Sequence, residues 1–222
     1  MILRARHDET VAGAPGPGEL APIGVLLAGG AGTRMGGAKL TAQLGGRPLF
    51  SYPLAALTSA LQEVAVIGKP GLALADLGPV KIWIEPPAPR HPLVGIVHAL
   101  QLARGRAVLV CPADLPFITP ALIRSLALAR TADAPAVIAT RAGALQPLLG
   151  CYEPAAARLL ADAAAGGELP ARAAVAAIGP RLLEVELEGP DELFNVNSPG
   201  DLRRAAALLL ARGRPDQPNV KS

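Results

Sequence analysis

The sequence predicts an α/β domain with a mostly parallel central sheet and helices on both faces, a three-layer arrangement. Three observations carry this. Short apolar runs of strand length recur through the first half, each followed by a loop and a helix-length segment. The richest, Arg106–Cys111 (RAVLVC), is an almost unbroken apolar run, as a strand buried on both faces requires. The 24 glycines and 23 prolines make the ends of many of these segments legible.

Residues 1–22 read as a flexible N-terminal extension, 23–212 as one domain and 213–222 as a flexible tail. Ile23–Ala28 (IGVLLA) is the first buried strand and empties into a glycine-dense loop over 29–39. A helix is expected from Pro48 through Leu61, with Pro53 weakening its first turns. Glu63–Gly68 and Lys81–Glu85 follow as strands, and the proline-rich Glu85–Pro92 reads as a surface loop. Leu93–Arg104 is helical and stops at Gly105; the strand Arg106–Cys111 then leads through Asp114 to a helix opened by Pro120, with Thr119 as its N-cap. Ala136–Thr140 is a strand and Leu145–Tyr152 returns antiparallel beside it. Pro154 opens a helix reaching Ala165, Ala171–Ile178 is a short helical run, and Arg181–Glu188 is strand-like. Pro199 begins the last helix.

Composition excludes several classes. The 222 residues carry 21 basic and 18 acidic side chains, a net charge of +3 with no dense basic block, and only 3% are aromatic. Dedicated nucleic-acid binding is therefore not expected. Cys111 and Cys151 lie in apolar runs and read as buried free thiols, not a disulfide framework. No apolar run reaches membrane-spanning length, and residues 1–20 lack the continuous apolar centre of a signal peptide, so a cytoplasmic location without a membrane partner is expected.

The loop LAGGAGTRMGGAK, Leu27 to Lys39, is the most informative segment. Gly29 and Gly30 allow tight turns and close approach of backbone N–H groups to a ligand. Arg34 supplies a fork-shaped cation and Lys39 a point-like one, both suited to phosphate oxygens. Two common phosphate motifs do not fit: the last glycine after Gly30 comes one residue late for a dinucleotide fingerprint, and Ala38 separates Gly37 from Lys39. The residues alone read as an anion-binding loop, with a plain glycine-rich turn as the alternative.

Asp114 follows the best strand at its carboxyl end, where open parallel sheets place ligands. A hard carboxylate there suits Mg²⁺ bridged to phosphates; the alternative is a cap for the next helix, for which Thr119 is better spaced. Asn195 and Asn197 share one face of an extended segment, with Val196 on the other. They suit substrate hydroxyls, phosphate or a neutral metal ligand, or else are ordinary turn and cap residues before Pro199. His91 and His98 have no third ligand at a credible spacing, so zinc is unsupported.

The loop resembles the LAGG-x-x-x-RMG-x-x-K signature of the molybdopterin-guanine dinucleotide synthase family, the molybdenum cofactor guanylyltransferases, which are nucleotidyltransferases of Rossmann-like, glycosyltransferase-A-type fold. CPADLPFITP resembles the family's C-x-x-D-x-P-x-x-x-P segment, and LFNVNSP its N-V-N-T-P element with Ser198 in the threonine position. The likeness spans Ile23 to Arg212 and is strongest at Leu27–Lys39, Cys111–Pro120 and Phe194–Pro199. It implies that Leu27, Ala28, Gly29 and Gly30 cradle the nucleotide, that Arg34 and Lys39 hold the triphosphate, and that Asp114 and Asn197 bind Mg²⁺. HPLVG resembles the family's GPLAG, implying close packing of Gly95 near the nucleotide or acceptor; His91 replaces a commonly small residue there. Gln146, in the position of a family histidine, together with Glu168, Arg172 and Asn195, is implied on the acceptor side. The chain departs from the pattern at Pro86, where relatives have aspartate, and at the second arginine of a Gly-Glu-Arg-Arg element.

The implied activity is transfer of GMP from GTP to the phosphate of molybdenum-bound molybdopterin, with Mg²⁺ and release of pyrophosphate. Arg34, Lys39 and Asp114 are the expected catalytic residues. The implied partners are a molybdopterin-bearing small molecule and, transiently, cofactor-delivery or molybdoenzyme-maturation proteins. The alternatives are a CTP-dependent molybdopterin cytidylyltransferase or related nucleotidyltransferase, and a non-catalytic nucleotide-binding regulatory or assembly protein.

Overall fold

Strands β2 (Ile23–Leu27), β5 (Val64–Gly68) and β7 (Val108–Pro112) form the centre of the sheet, and their side chains alternate between two apolar layers. Val108 and Val110 of β7 face one layer with Ile23 and Val25, while Leu109 and Cys111 face the other with Leu26 and Val66. That two-sided burial is why these runs carry almost no polar residue. The computed structural model describes residues 2–4, 20–29, 41–70, 77, 80–88, 91–166, 170–185 and 191–212.

The remaining strands are β1 (Ile2–Arg4), β3 (Gln43–Leu44), β4 (Arg47–Pro48), β6 (Lys81–Ile84), β8 (Ala136–Arg141), β9 (Ala144–Tyr152) and β10 (Arg181–Glu184). The helices are α1 (Ser51–Ala60), α2 (Val94–Leu102), α3 (Pro120–Leu128), α4 (Ala156–Gly166), α5 (Ala171–Ala177) and α6 (Pro199–Arg212). The main sheet has eight strands in the order β1-β10-β8-β9-β7-β2-β5-β6. β9 runs antiparallel to both β7 and β8, and every other pairing in this sheet is parallel. Helices α1 and α3 pack on one face, and α2, α4 and α5 on the other. The expected three-layer α/β fold with a mostly parallel sheet is the fold observed.

Several expectations hold at residue level. Thr119 caps α3 by accepting from the Leu122 N–H at 3.2 Å, with Pro120 in the first turn. Cys111 and Cys151 are buried free thiols, and burial pushes both well above the ordinary thiol range. Among the described residues no helix is long and apolar enough to cross a membrane.

Three expectations need correction. Pro48 does not start the first helix. It belongs to the hairpin β3–β4, turned by Gly45 and Gly46 at φ +56° and +80°, where glycine avoids the Cβ penalty of the left-handed region. The helix begins at Ser51, so Pro53 falls in its first turn, where a missing N–H costs little. Part of residues 1–22 is not an extension, because Ile2–Arg4 pairs in parallel with β10 at the sheet edge. The last strand ends at Glu184 instead of Glu188. The tail at 213–222 lies outside the described residues.

The edge of the sheet opposite Asp114 is tied by charge. Glu63, just before β5, is bridged by Lys81 of β6 and by Arg106, which also donates to the Ala21 carbonyl ahead of β2. The hydrogen bond from Lys81, and then that from Arg106, hold the Glu63 carboxyl below its ordinary range. These contacts align the amino ends of β2, β5, β6 and β7, and so leave the carboxyl ends in register at the other edge.

Candidate active site

That carboxyl edge holds Leu27, Ala28, Gly29 and Asp114 of the expected residues. β2 ends at Leu27, and the Ala113 N–H donates to the Leu27 carbonyl at 3.2 Å, which brings the chain after β7 alongside the start of the glycine loop. The Ala28 N–H donates to the Ile67 carbonyl at 2.7 Å, so the chain leaves β2 from a fixed backbone. Gly30, Arg34 and Lys39 lie outside the described residues, as does Glu168.

Asp114 is two residues beyond β7. Its backbone carbonyl accepts from the Val196 N–H at 3.0 Å, so the segment 194–197 lies against the end of the central strand. Val196 is fully buried with Leu44, Leu49 and Phe117, whereas Asn195 and Asn197 are exposed on either side of it. The alternation expected from the sequence is therefore present, and the backbone bond to Val196 brings this segment against Asp114 from some eighty residues away.

Asn195, Asp114 and Gln146 line one cavity of about 190 Å³, closed by Pro112, Leu115, Pro147 to Leu149 and Leu193. The cavity thus brings two of the acceptor-side candidates to Asp114. Asn197 and Arg172 are not among its lining residues; Arg172 is exposed on α5.

Asn197 is held by the start of α6. Its backbone N–H donates to Asp201 Oδ2 at 3.0 Å, and the Ser198 hydroxyl donates to the same oxygen at 2.8 Å while accepting from the Asp201 N–H at 3.1 Å. This is a reciprocal N-terminal cap with aspartate at the third position. The Ser198 hydrogen bond, then that from Asn197, lowers the Asp201 carboxyl below its ordinary range. A depressed carboxylate stabilises the fold above its unfolded value, about 3.9, and this contribution is lost as pH falls through the folded value. Ser198→Ala should cost about 1 kcal/mol, read as a drop in melting temperature. The difference in melting temperature between wild type and Asp201→Ala should narrow from pH 7 to pH 3; a gap that stays constant would remove the ionised cap.

Glu85, read from the sequence as the start of a surface loop, is a further candidate that only the structure brings forward. It follows β6, is only 8% exposed, and sits between Gly29 and Gly95. A Cβ on Gly29 would lie 2.7 Å from Glu85 Oε1, and one on Gly95 would lie 3.2 Å from Oε2. The Glu85 carboxylate thus packs closely against both glycines, and a side chain at either would displace it; it also has Lys69 Nζ at 3.6 Å. Its position beside the cradle equips it to accept N–H or O–H donors from a bound nucleotide. The only signal for it in the sequence was an acid at the end of a strand, which is common.

Among the described residues no group of three or more His, Cys, Asp or Glu side chains is placed to hold a metal. One carboxylate with neighbouring amide oxygens does not suit zinc. It does fit Mg²⁺, which keeps several waters and completes its shell with substrate phosphates.

An eight-stranded α/β sheet with a cleft at the carboxyl ends of its central strands defines the class of open α/β folds that bind ligands at that edge. Residues 24–181 match the family profile of the MobA-like NTP transferase domain, and the chain belongs to that family. It is 34% identical over 195 residues to a molybdenum cofactor guanylyltransferase of Cereibacter sphaeroides, covering 84% of this chain and 96% of that one. A probable molybdenum cofactor guanylyltransferase of Chloroflexus aggregans is 31% identical, over 84% and 94% of the two chains. Among solved structures, the molybdopterin-guanine dinucleotide biosynthesis protein A of Archaeoglobus fulgidus superposes with a TM-score of 0.74 at 23% identity, over 85% of this chain and 99% of that one. The 2-C-methyl-D-erythritol 4-phosphate cytidylyltransferase of Thermus thermophilus shares the fold with a TM-score of 0.60 at 22% identity, over 84% and 98%.

Proposed function

We propose that this protein transfers GMP from GTP to the phosphate of molybdenum-bound molybdopterin and releases pyrophosphate. The observation that carries the reading is the shared cavity: Asp114, just past the central strand, lines it with Asn195 and Gln146, and the adjacent Ala113 is hydrogen-bonded to Leu27 at the start of the glycine-dense loop. The guanylyltransferase names of the relatives at 34% and 31% identity support guanine as the base and molybdopterin as the acceptor.

The chemistry needs little from protein nucleophiles. The acceptor phosphate is already anionic and attacks the α-phosphorus, so the work is alignment and charge stabilisation. Asp114 and Asn197 would hold Mg²⁺, which when bound polarises the α-phosphoryl group and offsets charge on the leaving pyrophosphate. Arg34 and Lys39 would bind the β- and γ-phosphates, where negative charge grows as the bond breaks. Leu27 to Gly30 would present backbone to the nucleotide, with Gly95 and Glu85 closing the far side. Gln146, Asn195, Glu168 and Arg172 supply hydrogen-bonding groups for the acceptor.

The deciding experiment is a nucleotide panel with molybdenum-loaded molybdopterin under matched Mg²⁺. GTP should exceed CTP and ATP by at least ~10-fold in kcat/KM, about 1.4 kcal/mol. Equal rates, or a preference for CTP, would overturn the guanylyl assignment. GTP binding without pyrophosphate release across the panel would overturn the enzymatic one.

A further inference from the structure

Strand β9 breaks its pairing where it reaches the cavity. Against β8 the register runs regularly from Tyr152 opposite Ala136 to Gly150 opposite Ile138, and resumes with Leu145 opposite Thr140. One β8 residue, Ala139, thus faces four β9 residues, Gln146 to Leu149. Pairing with β7 also ends at Gly150. This is a large bulge, and three of its four residues have no place in either ladder without it. The same four residues form one wall of the cavity at Asp114.

Two features hold the bulge. At Gly150 a Cβ would meet the Val137 carbonyl oxygen at 2.6 Å, so the strand leaves the ladder where only glycine lets the backbones approach so closely. Tyr152 is fully buried, and its hydroxyl donates to the Pro147 carbonyl at 2.5 Å. In a regular strand five residues span ~17 Å, farther than a tyrosine side chain reaches, so this bond exists only because the chain is contracted. Pro147 has no N–H with which to rejoin a ladder, which leaves its carbonyl as its backbone anchor. A buried phenol without a partner is costly, so the bond stabilises the bulged shape specifically.

We infer that Tyr152 is a positioning residue: through Pro147 it sets the β9 bulge so that Gln146 is presented to the acceptor across the cavity from Asn195. The inference rests on the functional reading above, because it assigns this wall to the acceptor rather than to the nucleotide. It adds a role for a residue that touches neither substrate.

Tyr152→Phe removes one oxygen and keeps the ring, and it tests this directly. The Michaelis constant for molybdenum-loaded molybdopterin should rise ~10-fold while that for GTP stays within twofold. Amide hydrogen exchange at Gln146, Leu148 and Leu149 should quicken at least ~10-fold, with Val108–Cys111 unchanged. Gln146→Ala should raise the acceptor constant similarly, and the double variant should add nothing further, since one residue acts through the other. Unchanged exchange over 146–149, an unchanged acceptor constant, equal rises in both constants, or additive losses would each overturn the inference. Wild-type protein that binds GTP but does not transfer to molybdopterin overturns the functional reading and the acceptor role with it. Normal wild-type transfer with an unaffected Tyr152→Phe overturns the positioning role alone.

Discussion

Asp114→Asn should lower transfer by ~10³-fold or more, roughly 4 kcal/mol of transition-state stabilisation, with the melting temperature nearly unchanged. The expectation follows from where the carboxylate sits. Thr119 caps α3, so the start of that helix does not depend on the Asp114 carboxylate. Its backbone carbonyl, which anchors Val196, is retained in the variant. What disappears is the single negative charge at the end of β7, and with it the hard ligand that Mg²⁺ needs. Asn197→Ala should give a smaller loss, because a neutral amide attracts the cation less and water can replace it. Combining the two should be non-additive if both serve one ion. Rapid-quench single-turnover measurements across an Mg²⁺ titration check the set. Near-normal chemistry in folded Asp114→Asn at saturating Mg²⁺ would sink the metal role. The neighbouring thiol offers no substitute chemistry: burial, and then the charge of Asp114, keep Cys111 protonated.

Arg130→Ala should be strongly destabilising although it lies outside the site, costing about 2.5 kcal/mol. Arg130 follows α3 and makes two parallel bonds to Glu153 after β9, at 2.6 and 3.1 Å. The side chains are 8% and 19% exposed, so truncating the arginine strands a largely desolvated carboxylate. The partial exposure of Glu153 is why the cost is placed below that of a fully buried pair. For a chain of this length the change corresponds to a fall in melting temperature of ~5–10 °C. Denaturant melts of Arg130→Ala, Glu153→Ala and the double variant measure the coupling. A double variant as unstable as the sum of the singles would remove the pair as a unit.

Much of the architecture was legible because it depends on local rules. Strands buried on both faces must be apolar throughout, so β2, β5 and β7 announced themselves. Thr119-Pro120 specifies a helix start by cap and ring geometry, and the alternation Asn195-Val196-Asn197 specifies which side chains turn outward. Asp114 was visible because it follows the most apolar strand, at the carboxyl end where open parallel sheets place ligands, within a segment that resembles the family's central motif.

What the tertiary structure alone decided depends on contacts between distant segments. Nothing local in Arg47-Pro48 distinguishes a helix start from the second arm of a Gly45-Gly46 hairpin; packing of Leu44 and Leu49 against Phe117 and α6 selects the hairpin. Edge placement of Ile2–Arg4 depends on β10, which arrives nearly two hundred residues later. Glu85 became a candidate only through its packing against Gly29 and Gly95, which come from two other segments of the chain. The β9 bulge is the clearest case. Leu145–Tyr152 reads as one continuous strand, and its sequence shows the chemistry of Gln146 but not its direction. Direction was set by the register mismatch between β8 and β9 and by a hydroxyl reaching back from Tyr152, both properties of pairing and burial, not of residue type.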